Sequence, residues 1–162
     1  MCTNPQFLDR LCSIHPIQFG KTVRLPLSYA ESILNEIQDL KILYLVRDPR
    51  ATLQSRKGRD WCVATPSCHE PETLCGDLVN DFDSFMDLRK TFPDRIKVLR
   101  YEDMVEDMDK SLGEVVSFFG LEVQAEMKEF VLTHTDSKCN AQNSYVIIPL
   151  GNCNGLYQNS LK

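Results

Sequence analysis

The sequence predicts an α/β fold in which a parallel sheet is covered by helices in three layers. Three observations predict it. Ile42 to Val46 is a short apolar run of strand length and Ile96 to Arg100 a second strand, each leading directly into a polar, helix-like segment. A parallel strand buried on both faces reads as such a run rather than as an alternation. Between them lies a long amphipathic stretch, so strand, helix and strand alternate and the crossover is right-handed.

The elements follow in order. Lys21 to Leu25 is a short strand candidate, and Tyr29 to Ile37 a helix with Ala30, Ile33, Leu34 and Ile37 on one face. The strand Ile42 to Val46 comes next, then a helix from Pro49 to Lys57, with Asp48 as N-cap and Gly58 as its stop. Gly58 to Pro71 reads as a loop. Leu74, Leu78, Phe82, Phe85 and Leu88 mark a long amphipathic helix that ends before Pro93. After the strand Ile96 to Arg100, Leu112, Val115, Val116 and Phe119 form the stripe of another helix closed by Gly120, and Glu126 to Leu132 makes one more. Residues 1–136 form the folded unit. Residues 137–162, rich in Asn and nearly uncharged, read as a divergent tail in which Tyr145 to Leu150 is a weak strand.

At 162 residues the chain is long enough for one core, and 43% hydrophobic content is ordinary for a globular protein. A net charge of −5 argues against nucleic acid or an anionic membrane as partner. No apolar stretch is long enough to span a bilayer, and no signal peptide opens the chain. A basic cluster stands against the acidic background: Arg47, Arg50, Arg56, Lys57 and Arg59 fall within thirteen positions at the end of a strand. A solvated helix face is the alternative, but the position favours an anion site. There Arg47 offers a planar fork for phosphate. The N–H groups of the following helix's first turn face the same way. Ser55 shares a helix face with Thr52, within reach of the same anion. Ligands in open α/β sheets bind at the carboxyl ends of strands, where this cluster falls.

These residues carry a resemblance. LVRDPRATLQSR resembles the 3′-phosphate-binding segment of sulfotransferases that use 3′-phosphoadenosine 5′-phosphosulfate (PAPS). The wording is closest to the Golgi carbohydrate sulfotransferases of the galactose, N-acetylglucosamine and N-acetylgalactosamine 6-O group. KTVRLPLSYAESIL, from Lys21, and IKVLRYEDMVEDMDKSLGEVVSFFGL, from Ile96, resemble the flanking segments in the right order and spacing. The resemblance implies the P-loop-NTPase-like sulfotransferase fold, here incomplete. It places Arg47 and Ser55 on the cofactor 3′-phosphate, with Arg50 and Arg56 completing the cofactor-binding set. Lys21 and Arg24 are candidates for the acceptor sugar. The reaction implied is in-line transfer of a sulfuryl group to a carbohydrate hydroxyl, catalysed by positioning and charge stabilisation without a metal. A glycan or glycoprotein is the implied partner. The implied setting is the Golgi lumen, with the full-length form a type II membrane protein.

The glycine- and serine-rich loop with which the family binds the 5′-phosphosulfate is not found in residues 1–40, so the chain reads as the C-terminal portion of a longer protein. No general base is assigned. The rival is a truncated, inactive relative that keeps the 3′-phosphate half-site; a P-loop kinase would need G-x-x-x-x-G-K-[ST], which is absent. Glu102 and Asp103 are read as the acidic first turn of a helix rather than as a catalytic pair. Arg56, Lys57, Gly58, Asp60 and Trp61 superficially resemble the RKG-x-x-GDW element of cytosolic sulfotransferases, but they directly follow Ser55, the wrong position for it. Cys62, Cys68 and Cys75 are unlike the paired spacing of structural zinc sites. Buried thiols are one reading of them; a disulfide is the other, if the chain is lumenal as the resemblance implies.

Overall fold

The computed structural model describes residues 4–23, 25–57 and 59–135. The divergent tail and its weak strand lie outside the described residues, as does Arg24. Helix α1 (Pro5–Ser13) opens the chain. Asn4 caps it, accepting the N–H groups of Gln6 and Phe7 at 3.0 and 3.3 Å, and proline holds its first position. No element was expected there from the sequence. An irregular segment follows, in which the predicted strand from Lys21 to Leu25 does not form among the described residues. A strand needs a hydrogen-bonded neighbour, and among the described residues none pairs with this segment. Val23 and Leu25 are accordingly 59% and 47% exposed.

A 3-10 turn at Leu27–Tyr29 leads straight into α2 (Ala30–Glu36). Its Leu27 N–H is held by Asp81 Oδ1 at 2.7 Å. Strand β1 (Ile42–Val46), α3 (Pro49–Arg56), α4 (Pro71–Thr91) and β2 (Ile96–Arg100) then build a parallel strand–helix–strand unit. The two strands run in step, from Ile42 opposite Ile96 to Val46 opposite Arg100.

Alternate strand residues share a face. Ile42, Tyr44, Ile96 and Val98 pack against Leu27, Ala30, Leu34, Phe85 and Leu88, so one face of the sheet carries the main core under α2 and α4. Leu34, fully buried, lies within that core. On the other face Leu99 is buried and Lys97 pairs with Glu114 at 3.2 Å, but Leu45 is 53% exposed. The expectation of strands buried on both faces therefore holds for one face only. Among the described residues the sheet has two strands, which leaves much of β1 uncovered on its second face.

The chain turns without a break from β2 into α5 (Tyr101–Glu106), whose first turn carries Glu102 and Asp103 as expected. Asp107 then caps α6 (Met108–Phe118), and α7 (Ala125–Thr135) follows. Gly120 ends α6 at φ +76°, with the Leu121 N–H bonded to Val116 O and the Gly120 N–H to Ser117 O. These two bonds satisfy the last carbonyls of the helix, and the positive φ is why a glycine stands there. At the start of the sheet Arg95 donates to three carbonyls, of Leu34, Ile37 and Leu40, at 2.8, 2.6 and 3.0 Å. It ties the end of α2 to the turn before β2. Among the described residues no helix is long and apolar enough to cross a membrane.

Candidate anion-binding site at the carboxyl end of the sheet

Arg47 leaves β1 directly after the buried Val46. Val46 lies opposite Arg100, and the residues that follow the two strands, Arg47 and Tyr101, also meet. The Arg47 guanidinium carbon sits 4.5 Å from the centre of the Tyr101 ring, a cation–π contact that contributes about 0.5–2 kcal/mol. Its Nε is buried and has no hydrogen-bond partner. A buried donor left unmade costs about 1–3 kcal/mol. Arg47 is thus braced by a ring while keeping a donor for which the described residues supply no acceptor.

The start of α3 behaves differently from the expectation of free N–H groups. The Asp48 carboxylate accepts the N–H of Arg50 at 2.8 Å and also binds the N–H of Ala51. Thr52 donates to Asp48 O at 2.9 Å, and Pro49 has no N–H to offer. All four first-turn positions are accounted for, so the helix tip is closed to an external anion. Burial pushes the Asp48 carboxyl up, but the Arg50 guanidinium and the two N–H bonds outweigh it and hold its pKa below the ordinary carboxylate value. A ligand touched by Arg47 therefore lies beside the helix rather than on its tip.

The other expected cofactor residues are distributed along α3. Arg50 grips Asp48 with its Nε and Nη2, at 3.0–3.1 Å and 2.5 Å. Arg56 turns away and donates from Nη1 to Ser67 O at 2.9 Å. Ser55 is exposed in the last turn, about 9 Å along the helix axis from Pro49. Lys21 is exposed in the irregular segment before α2. The structure thus groups Arg47, Asp48 and Arg50 at one end of α3, and Ser55 and Arg56 at the other.

Two contacts and two short 3-10 turns escaped the sequence reading. Tyr101 is the platform under Arg47, and the parallel register was the signal for it. Glu102 Oε1 accepts the backbone N–H of Asp48 at 2.9 Å. Two 3-10 turns, Asp60–Cys62 and Pro66–Cys68, are joined by a disulfide between Cys62 and Cys68, with Cα atoms 5.5 Å apart. Cys75 is disulfide-bonded as well. Of the two readings of these cysteines, the disulfide is the one found.

A family profile described as the sulfotransferase domain matches residues 27–147, three quarters of the chain and both sides of the Arg47 site. The chain belongs to the sulfotransferase domain family. Curated relatives agree. Carbohydrate sulfotransferase 5 of Mus musculus is 26% identical over 159 residues, covering 76% of this chain and 40% of that protein. Carbohydrate sulfotransferase 1 of Danio rerio is 25% identical, covering 77% of this chain and 34% of its own length. Carbohydrate sulfotransferase 2 of Homo sapiens is 25% identical over 148 residues, with 67% and 28% covered. This sulfotransferase chain therefore spans well under half the length of the relatives it matches. No solved structure matches it.

Proposed function

We propose that this chain supplies the 3′-phosphate half of a PAPS site in a carbohydrate sulfotransferase of the three-layer, P-loop-NTPase-like class. The observation that carries the reading is the buried, unpartnered Nε of Arg47 at the carboxyl end of a parallel strand. Phosphate is the acceptor that suits it, because a guanidinium and a phosphate form paired, charge-assisted hydrogen bonds. Ser55 lies further along the same helix, and its hydroxyl adds a neutral donor to an anion resting against the helix side. Arg50 and Arg56, drawn to Asp48 and Ser67, shape the two ends of the site and add positive potential to it.

When bound, the donor supplies the sulfuryl group; the residues of this chain hold and orient its nucleotide end. The names of the relatives support a sugar hydroxyl as acceptor. We extend this to the 6-O position of a hexose or N-acetylhexosamine in a glycan, with Lys21 and Arg24 toward the acceptor. A disulfide close to the site accords with an oxidising compartment, which supports a Golgi lumenal setting.

Titration calorimetry with adenosine 3′,5′-bisphosphate tests the reading. Arg47→Ala is expected to weaken binding by about 1.5–3 kcal/mol, the range for a hydrogen bond to a charged group. Equal affinity in the wild-type and variant proteins would remove Arg47 from the site.

A further inference from the structure

We propose that Glu102 is a positioning residue for the anion site, because its carboxylate holds the backbone of the turn from which Arg47 projects. The inference rests on the reading of Arg47 as a ligand-binding residue. The contact joins residues 54 positions apart, in partly buried surroundings, with Glu102 Oε1 accepting the Asp48 N–H at 2.9 Å. Asp48 lies between the end of β1 and the start of α3, so neither the strand ladder nor the helix provides an acceptor for its N–H. A backbone donor at such a place needs a partner.

Helices usually solve this locally. In a capping box the N-cap side chain accepts an N–H from the first turn, while a Glu or Gln at the third helical position reaches back to the N-cap N–H. In α3 the first half of that exchange is present, since Asp48 accepts from Arg50 and Ala51. The second half cannot be local, because the third helical residue is Ala51. Glu102 provides it from just beyond the neighbouring strand, as a capping box split between two chain segments.

The split has a consequence for Arg47. Tyr101 lies under its guanidinium, and Glu102, the next residue, binds the next backbone N–H along the turn. Two adjacent residues after β2 therefore fix the side chain of one residue after β1 and the backbone of the following one. Arg47 is held from both directions before any ligand arrives. That pre-organisation lets its donors meet a phosphate without first being ordered. The part-buried Glu102 acts through Asp48 and Arg47 and does not touch the ligand.

The test uses the full chain, adenosine 3′,5′-bisphosphate in calorimetry, and amide hydrogen exchange at Asp48 without ligand. Glu102→Ala is expected to weaken binding about tenfold and to accelerate exchange of the Asp48 N–H. Glu102→Gln retains an acceptor and is expected to keep both wild-type affinity and slow exchange, just as Gln serves in local capping boxes. A Gln variant that loses as much as the Ala variant overturns the inference, since charge rather than an acceptor is then at work. Wild-type binding by Glu102→Ala alongside lost binding by Arg47→Ala also overturns it, and leaves the site reading standing. If the wild-type protein binds nothing, the site reading fails; unchanged Asp48 exchange in Glu102→Ala then overturns the clamp as well. Should the Ala variant not fold, fast Asp48 exchange in a folded Gln variant is the overturning result.

Discussion

Arg95 and Arg47 stand at opposite ends of one two-stranded sheet, the first just before β2 and the second just after β1. Arg95 directs its donors to the carbonyls of Leu34, Ile37 and Leu40, and its guanidinium also sits 5.4 Å from the Phe92 ring centre. Arg47 has a ring beneath it too, but its Nε is buried without an acceptor. The two side chains share their chemistry, their neighbouring aromatic ring and their place at a strand terminus. What separates them is whether the described residues supply oxygen acceptors. An arginine whose donors are met by carbonyls stabilises the fold. The one that is braced by a ring, with its Nε unmet among the described residues, is the one we propose binds a ligand.

Replacing each arginine breaks the comparison directly. Arg95→Ala leaves three carbonyls without their donor and is expected to cost about 2–4 kcal/mol in urea unfolding. Arg47→Ala removes a buried, unsatisfied donor along with the cation–π contact, and these effects oppose one another. Its stability is expected to stay within about 1 kcal/mol of wild type, although ligand affinity falls. Equal destabilisation by both substitutions would erase the distinction between them.

The disulfide loop sharpens the comparison one step further from the site. Arg56 binds Ser67 O, and Ser67 lies in the turn that the Cys62–Cys68 bond closes. The paired substitution Cys62→Ser with Cys68→Ser opens a short loop and is expected to lower stability by about 2 kcal/mol. The same change is expected to loosen the Arg56 end of α3 and leave the Arg47 end fixed. Hydrogen exchange along α3 reads this as faster opening confined to its last turn; uniform loosening would contradict it.

The smallest effect concerns pH. Asp48 and Asp81 each accept a backbone N–H, yet their pKa values move in opposite directions. Asp48 is lowered: burial pushes it up, but Arg50 and two N–H groups prevail. Asp81 is raised, chiefly by burial and also by Asp77, despite the Leu27 N–H. The stability that Asp48 contributes is present above the ordinary carboxylate pKa of about 3.9 and is lost as pH falls toward its folded value. Asp81 has the reverse sign, with its contribution present below that value and lost as pH rises through its folded pKa. Asp48→Asn is expected to flatten the acid limb of the stability curve below about pH 4, while Asp81→Asn is expected to flatten the change above it. Thermal melts across pH 2–8 distinguish the two.

Sequence reasoning reached those features whose signals are local. The run Ile42 to Val46, the Asp48–Pro49 cap, the stripe ending before Pro93 and Gly120 each announce an element within a few residues, and the structure has those elements. Helix α1 had local signals as well, in Asn4, Pro5 and the helically spaced Phe7, Leu8 and Leu11, and the sequence reading passed over them. Lys21 to Leu25, a short strand candidate in the sequence, forms no strand among the described residues, because a strand also needs a neighbour to bond with. In the site, the sequence revealed charge but not its destination. Nothing local shows that Arg50 turns back to Asp48, or that Arg56 turns away to Ser67. Asp48 meets Glu102 only because the strand register brings distant segments together.

That register sets a constraint on how the site can change over evolutionary time. Substitutions at Leu43 or Leu45 alter a side chain and leave the strand ends where they are. A single insertion or deletion within either strand would slide one terminus past the other and swap the faces of every residue beyond it. Tyr101 would no longer lie beneath Arg47, and Glu102 would miss the Asp48 amide. Both strands are five residues long, and the arrangement tolerates variety in composition far better than variety in length.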